Sequence, residues 1–186
     1  MRVPGFSGFE DGAGGGLMLA SAAFVLLAAA APVRAESPTT LQGLLDRTQI
    51  EDMLVRYYSN LGGGDRGFGS YYTQDGVLDV NGIIGRGPKG IEDLYKRVAE
   101  GSPRPRGVFH MLLTNPVIDV NGDTATADVI WTGIESDTVK SRPHFVEQGR
   151  EHDELVKQGG RWLIKYRVIT SDAGLTKMFE PTYKKR

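Results

Sequence analysis

The stretch Val108–Ile134, VFHMLLTNPVIDVNGDTATADVIWTGI, decides the fold. It consists of two runs rich in valine, isoleucine and threonine on either side of the dipeptide Asn121-Gly122, which is a strong signal for a tight hairpin turn. Pro116 lies inside the first run and cannot donate a ladder hydrogen bond, so that strand is long or broken at this point. We therefore predict two long antiparallel strands, over 108–120 and 124–134.

Further strands follow this hairpin, and helices precede it. A strand over 145–157 is predicted to turn at Gln158-Gly159-Gly160 into a strand over 162–170. Upstream, apolar residues at three- and four-residue steps predict a helix over 41–61, and a second helix is predicted over 91–99. A short helical turn over 66–72 and a strand pair or bent strand over 76–84 lie between them. Helices first and strands last indicate an α+β domain with one antiparallel sheet.

The composition excludes several classes of protein and of site. The chain has 186 residues, with 22 Lys and Arg against 23 Asp and Glu, and no cysteine. A domain that binds nucleic acid normally carries a basic excess on one face, so we expect no nucleic-acid partner. The lack of cysteine excludes disulfides, thiolate nucleophiles and cysteine-bearing metal sites.

The first 35 residues look like a secretory signal. Leu17–Ala31 is an unbroken run of small and apolar residues that is too short for a comfortable membrane span, which needs about 20 residues. Val33 and Ala35 then occupy the small-residue positions of a cleavage site. We predict a signal peptide over 1–35 and a mature domain over 36–186 that is secreted or periplasmic, with no stable membrane anchoring after cleavage. An uncleaved anchor is the alternative.

Two glycine patterns match the dinucleotide fingerprint G-x-G-x-x-G, but neither is convincing. The pattern at Gly62 follows a helix, so the geometry that cradles a phosphate is absent. The pattern at Gly85, Gly87 and Gly90 follows a strand and precedes a helix, but no acidic residue stands at the distance needed to hold a ribose. A tight turn into the second helix is the better interpretation of this second pattern, and we expect no organic cofactor.

The histidines do not form a metal motif. Glu151, His152 and Asp153 are adjacent in a strand, so their side chains alternate between its two faces and cannot converge on one ion. We therefore expect no metal site.

Polar residues inside the apolar strands are the candidate functional groups. His110 lies in VFHMLL, and Arg150 and His152 share one face of the strand 145–157. The pattern alone leaves open whether that face lines a cavity or solvent. Tyr57 and Tyr58 fall on the buried stripe of the first helix, where core aromatics are favoured over ligand contacts.

Several strings, in this order, resemble the SnoaL-like branch of the nuclear transport factor 2-like superfamily. They are RTQIEDMLVRYY over 47–58, YTQD over 72–75, the glycines of 85–91, His110 with the TNP of 114–116, NGDTA over 121–125, and Gly149-Arg150 through Trp162. The resemblance implies a cone-shaped α+β barrel, in which a curved, mostly antiparallel sheet wraps around N-terminal helices and leaves a deep pocket. Members of the superfamily include cofactor-free dehydratases, lyases, isomerases and cyclases, and also non-enzymatic binding domains, so fold alone does not determine function.

The resemblance also suggests which residues act. Scytalone dehydratase and lindane dehydrochlorinase use an aspartate–histidine pair, whose histidine position resembles His110. The aspartate position falls on Gly62, so the pair is broken, and Asp65 is the candidate replacement. Relatives often show H-x-x-x-N, whereas Asn115 follows His110 by five positions, one more than in that pattern. A bulge would restore the usual geometry.

The same resemblance turns Arg150 and His152 towards the pocket, together with Trp131 and Glu135 from the neighbouring strand. A pocket of tyrosine, tryptophan, arginine and histidine suits an aromatic substrate that carries hydroxyl or carbonyl groups.

These residues lead to a prediction of a cofactor-independent lyase that acts on a small aromatic or polycyclic hydroxylated substrate by acid–base elimination, either dehydration or retro-aldol cleavage. His110 would act as base or acid with Asp65 or Tyr58 as its partner, while Arg150 holds negative charge and His152 assists. The predicted substrate-binding residues are Tyr57, Trp131, Asn115 and Glu135. An isomerase or cyclase, or a non-catalytic ligand-binding or dimerisation domain, is the alternative. We expect a homodimer or homotrimer.

Overall fold

The structure is a computed structural model that describes residues 40–59, 61, 67–101 and 107–184. The predicted signal peptide over 1–35 and the candidate residue Asp65 lie outside the described residues, so both remain predictions. Two helices precede most of the sheet, α1 (Leu41–Ser59) and α2 (Gly87–Gly101). The strands are β1 (Tyr72–Val80), β2 (Ile83–Arg86), β3 (Val108–Asn121), β4 (Thr124–Ser136), β5 (His144–Gln158) and β6 (Arg161–Ala173), with short 3₁₀ turns at Phe68–Tyr71 and Lys177–Phe179.

The six strands form one curved sheet in the order β2-β1-β6-β5-β4-β3. Every neighbouring pair is antiparallel except β1 and β6, which run parallel. The α+β class and the mostly antiparallel sheet are therefore confirmed. The hairpin of β3 and β4 turns where predicted, since Asn121 pairs with Thr124 and Gly122 adopts a positive φ of 59°. Glycine adopts this conformation without the steric cost of a Cβ atom.

An irregularity breaks the pairing of β3 with β4. The register shifts between Thr114 and Val117, and Asn115 has a φ of 51°. Asparagine is one of the few residues with a side chain that enters this left-handed region readily, and Pro116 has no N–H to contribute to the ladder. Pairing is regular from His110 to Thr114, so the irregularity lies at Asn115 and Pro116 and not in the segment between His110 and Asn115, where a bulge would restore the usual geometry.

Helix α1 packs against the inner face of the sheet and forms the core with it. Its residues Ile50, Leu54 and Tyr57 are almost fully buried. The core residues of the sheet share the same inner face: Leu78, Ala127, Val129, Leu155 and Ile164. Among the described residues, no helix combines the length and the apolar character that crossing a bilayer requires.

A buried carboxylate ties the start of α1 to the hairpin of β5 and β6. Asp46 is 3% exposed and accepts hydrogen bonds from Lys157 Nζ at 2.6 Å, Gln42 Nε2 at 3.1 Å and Trp162 Nε1 at 3.2 Å. The Lys157 hydrogen bond, more than any other contact, holds the pKa of Asp46 below its ordinary value, against the opposing effect of burial. Three donors on one carboxylate fix the position of the helix on the sheet.

We expect Asp46→Asn to lower the free energy of unfolding by about 1–3 kcal/mol, because buried donors lose an ionised acceptor. The lowered pKa means that this stabilisation is present above about pH 3.8, the ordinary value, and is lost as the pH falls through the pKa of the folded state. Urea unfolding at pH 7 measures the effect. The control is Asp93→Asn, which removes the exposed pair with Lys89 on α2 and should change little. An Asp46→Asn protein as stable as wild type would contradict the prediction.

Candidate functional site

A cluster of charged residues is buried on the inner face of β5 and β6. Arg167 and Asp153 are both 0% exposed and Glu151 is 2% exposed. Arg167 Nε and Nη2 donate to the two carboxylate oxygens of Asp153 at 2.6 and 2.9 Å, a two-pronged pairing that matches the shape of the guanidinium group. Arg167 Nη2 also lies 3.1 Å from Glu151 Oε1. This second contact has the distance of an ion pair but not the alignment of a hydrogen bond, since Glu151 Oε1 has no hydrogen-bond partner within the described part of the chain.

Tyrosines enclose the cluster. Tyr58 on α1 donates its hydroxyl hydrogen to Glu151 Oε2. The guanidinium of Arg167 lies 4.2 Å from the centre of the Tyr57 ring, a distance suited to a cation–π interaction. The Tyr57 hydroxyl is hydrogen-bonded to the hydroxyl of Tyr72 at 3.1 Å and to that of Tyr95 on α2. Helix α1 supplies Tyr57 and Tyr58, and the sheet supplies the charges that they cover.

Burial and the neighbouring charges shift the pKa values of the residues in the cluster. Burial raises the pKa of Glu151 well above its ordinary value; the Arg167 charge opposes this rise and the nearby Asp153 reinforces it. Burial disfavours a charged Arg167, but Asp153 and Glu151 outweigh it and hold the pKa of Arg167 above its ordinary value. The pKa of the Tyr58 hydroxyl is also raised, chiefly by burial. Burial thus favours the protonated form of Glu151 relative to an exposed glutamate, beside an Arg167–Asp153 ion pair.

Three buried polar atoms on this face have no hydrogen-bond partner among the described residues. They are Arg167 Nη1, Glu151 Oε1 and Trp131 Nε1. Trp131 on β4 lies directly across from Gly149 on β5, and a Cβ atom at position 149 would be 2.3 Å from the indole Cζ2 atom. The indole therefore covers the strand next to Glu151. Buried polar atoms without partners are rare in native proteins, so these three are candidates for contacts with a ligand.

Comparisons with known proteins agree with this architecture. The family model described as a SnoaL-like domain matches residues 42–168. The chain belongs to the SnoaL-like domain family. No curated protein matches the sequence.

Solved structures share the fold of this SnoaL-like domain. One is a protein of unknown function from Mycobacterium tuberculosis, with a TM-score of 0.59 and 23% identity over 70% of this chain and 74% of that chain. Another is a protein from Novosphingobium aromaticivorans described as similar to nuclear transport factor 2 with a cystatin-like fold (TM-score 0.58, 19% identity, 75% and 92% coverage). A third, from the same organism, carries the provisional description of a scytalone dehydratase (TM-score 0.54, 17% identity, 70% and 86% coverage).

The predicted inward orientation of Arg150 and His152 is wrong. Arg150 pairs with Asp172 through hydrogen bonds of 2.9 and 3.0 Å, and its side chain is 52% exposed. His152 Nδ1 lies 2.7 Å from Asp128 Oδ1, with 44% of its side chain exposed. Side chains alternate along a strand, so the odd-numbered residues of this part of β5 face α1 and the even-numbered residues face away. The buried face of β5 therefore carries Glu151 and Asp153, each one residue after a residue that was predicted to face inward.

His110 also lies away from the cluster. It is exposed, whereas its neighbours Met111 and Leu113 pack against the core from the other face of β3. Asn115 is exposed in the bulge, and Glu135 is half-buried near the end of β4. The structure therefore does not bring His110 together with Tyr58.

Three of the predicted site residues do lie on the inner face. Tyr57, Tyr58 and Trp131 are all buried there, although their functional roles remain predictions. The residues predicted from the sequence did not include Glu151, Asp153 or Arg167. One signal was present: Leu155 occupies the same odd-numbered face as Glu151 and Asp153, and a leucine favours the buried side.

The described residues do not provide a metal site. No group of histidine, aspartate and glutamate side chains within the described part of the chain is placed to hold a metal ion.

An open groove of about 480 Å³ lies between the 3₁₀ turn at Phe68–Tyr71, α2 and β6, and Tyr72, Lys89 and Arg161 are among its lining residues. Tyr72 contacts both this groove and the buried cluster, since its hydroxyl is hydrogen-bonded to Tyr57.

We expect Gly149→Ala to lower the free energy of unfolding by about 1–3 kcal/mol. The added Cβ atom would lie 2.3 Å from both the Thr170 carbonyl oxygen and the Trp131 ring, so the backbone or the indole must move. Urea unfolding measures the loss, and a change in tryptophan fluorescence reports displacement of the ring. The control is Gly90→Ala in α2, where the nearest atom is 3.8 Å away and alanine should be neutral or stabilising. Equal stability of the two variants would contradict the described packing.

Proposed function

We propose that this SnoaL-like domain is a lyase that eliminates water from a small hydroxylated aromatic compound. The observation that carries the proposal is the buried Glu151 carboxyl, which contacts Tyr58 and Arg167. Burial raises the pKa of Glu151 and so favours the protonated carboxyl, which can deliver its proton to a leaving group. A carboxylic acid kept protonated by an apolar environment is an established arrangement for general acid catalysis.

One carboxyl group is sufficient for the elimination. Glu151 donates its proton to the substrate hydroxyl, the carbon–oxygen bond breaks with its electron pair going to oxygen, and water leaves. The Glu151 carboxylate then accepts a proton from the neighbouring carbon, whose C–H electron pair forms the new double bond. The acid is regenerated, and the products are an alkene and water. A hydroxyl next to an aromatic ring suits this sequence, because the ring delocalises the positive charge that develops on carbon.

Arg167 and Tyr58 support the carboxyl group in two ways. Arg167 Nη1 has no hydrogen-bond partner among the described residues, so it can donate to a carbonyl or hydroxyl oxygen of the substrate. Tyr58 donates to Glu151 Oε2 and stabilises the carboxylate that forms after proton transfer. With a carbonyl substrate, the same Arg167 donor would stabilise an enolate, and the chemistry would be isomerisation or retro-aldol cleavage.

Substrate entry requires motion of the enclosing side chains. Glu151 and Trp131 are only 2% and 4% exposed, so a ligand reaches them when the aromatic side chains around them move aside. Lids and loops of enzymes commonly move in this way on the microsecond to millisecond timescale.

A non-catalytic ligand-binding domain is the second candidate, and one observation favours it. Asp153 and Arg167 satisfy each other through two hydrogen bonds while fully buried, which is also what a purely structural ion pair would do.

A panel of 1-arylalkanols with phenolic substituents, each with a C–H on the carbon next to the alcohol carbon, separates the two candidates. The full chain is incubated with each compound, products are analysed by mass spectrometry for the loss of one water molecule, and binding is measured by calorimetry. Catalysed loss of water from any member supports the lyase. Binding of several members without conversion of any would overturn the lyase in favour of the binding domain.

A further inference from the structure

A second carboxyl group lies on the inner face of β5, beyond the cluster. The residues facing inward along this strand are Glu147, Gly149, Glu151 and Asp153, because alternate residues share a face. Glu147 pairs directly with Gly133 on β4. A Cβ atom at Gly133 would lie 2.7 Å from Glu147 Cγ and 2.9 Å from the Phe109 ring. The Glu147 side chain therefore lies across Gly133 and beside the phenyl ring.

Glu147 is partly desolvated and has no hydrogen-bond or ion-pair partner among the described residues. It is half-buried, and no hydrogen bond or ion pair joins it to any residue within the described part of the chain. Burial raises the pKa of its carboxyl above the ordinary value. A partly desolvated acid with no donor is costly to a folded protein, so this residue is suited to receive a donor from outside the chain.

Trp131 lies between the two carboxyl groups. Its ring covers Gly149, which separates Glu147 from Glu151 along the strand, and its buried Nε1 atom has no hydrogen-bond partner among the residues that the structure describes. Four residues of extended strand span about 13 Å, which is roughly the length of a molecule with two aromatic rings. Because Trp131 is only 4% exposed, such a molecule stacks on the indole once the side chains that cover the ring have moved aside.

We propose that Glu147 and Trp131 form a specificity site for an elongated aromatic ligand that carries a hydrogen-bond donor, an ammonium or a hydroxyl group, at one end. The ring system stacks on Trp131, the donor end binds Glu147, and the other end lies at Glu151. The assignment of the Glu151 end rests on the proposed lyase function, whereas donor recognition by Glu147 does not require turnover. A ligand with a carboxylate in place of the donor is rejected, because its negative charge would lie next to that of Glu147 in a site that holds little water.

The test compares three ligands with the same two-ring skeleton: 2-naphthylmethylamine, 2-naphthol and 2-naphthoate. Calorimetry with the full chain is expected to show binding of the amine and the naphthol, and at least tenfold weaker binding of the naphthoate. In Glu147→Gln, affinity for the amine should fall about tenfold to a hundredfold, as expected when a charge-assisted hydrogen bond is lost, and discrimination against the naphthoate should shrink. Trp131→Phe should weaken all three ligands alike.

Glu154→Gln is the matched control, since Glu154 is on the same strand but exposed on the outer face. It should bind all three ligands as wild type does. Glu147→Gln should also melt at a higher temperature than wild type, because it removes a desolvated acid, and this rise shows that lost affinity is not lost folding. Equal affinities of wild type and Glu147→Gln for the amine, or no binding of the three ligands to wild type, would overturn the proposal. Selective binding without turnover of any alcohol would overturn the lyase alone.

Discussion

Replacing Arg167 by methionine should lower the free energy of unfolding by about 3–5 kcal/mol, the usual cost of removing one partner of a buried ion pair. Asp153 is fully buried and its two hydrogen bonds from Arg167 would be lost together. The stacking of the guanidinium on Tyr57, 4.2 Å away, would be lost as well. Methionine retains an apolar stem of similar length. The decrease in the free energy of unfolding therefore reflects the missing charge more than a change in packing. Urea unfolding at pH 7 measures it.

Two further variants make this prediction specific. Arg150→Met removes an exposed guanidinium from the outer face of the neighbouring strand, and its unfolding midpoint should stay close to that of wild type. A double variant, Arg167→Met with Asp153→Leu, removes both charges of the buried pair and should recover part of the lost stability, because Asp153 no longer remains as an unpaired buried charge. Equal losses in Arg150→Met and Arg167→Met would contradict the described faces of β5 and β6.

Replacing Glu151 by glutamine should reduce turnover by about 10²–10⁴-fold, the usual contribution of a general acid–base group, while the protein stays folded. The amide has the shape of the protonated acid, and its oxygen still accepts a hydrogen bond from Tyr58. Because it cannot transfer a proton, activity is lost without loss of packing. The measurement is kcat on whichever alcohol the wild type dehydrates, with Glu154→Gln as the control. Normal turnover in Glu151→Gln would remove Glu151 from the mechanism.

The dependence of stability on pH gives an independent check on Glu151. The folded state retains the Glu151 proton above pH 4.5, the ordinary value, where the unfolded chain releases it. The folded state then binds more protons, so the free energy of unfolding falls as the pH rises from 4.5 to the raised pKa of the folded protein. In Glu151→Gln this part of the decline should disappear. Urea unfolding of both proteins between pH 4.5 and 8 tests it, and parallel curves would contradict the raised pKa.

The fold could be predicted from the sequence because its signals are local. The Asn121-Gly122 turn determines a hairpin by itself, since few residues adopt its backbone conformation. The spacing of Ile50, Leu54 and Tyr57 predicts the buried stripe of a helix wherever that helix packs. The irregularity of β3 next to Pro116 agrees with the predicted long or broken strand, because proline cannot donate a ladder hydrogen bond. The parallel pairing of β1 with β6 was not predicted, because it joins segments distant in the sequence.

The location of the site depended on which face of β5 is buried, and local pattern could not decide this. Both faces carry polar residues: Arg150 and His152 on one, Glu151 and Asp153 on the other. A shift of one residue exchanges the two sets, because the side-chain period of a strand is two.

The sequence by itself thus determined the elements, their order and the tyrosines of α1. Only the tertiary structure decided that Glu151 and Asp153 face inward, because it places Arg167 of β6 directly opposite Asp153. A buried acid needs such a partner, and the pairing register that supplies it is set by contacts among distant segments of the chain.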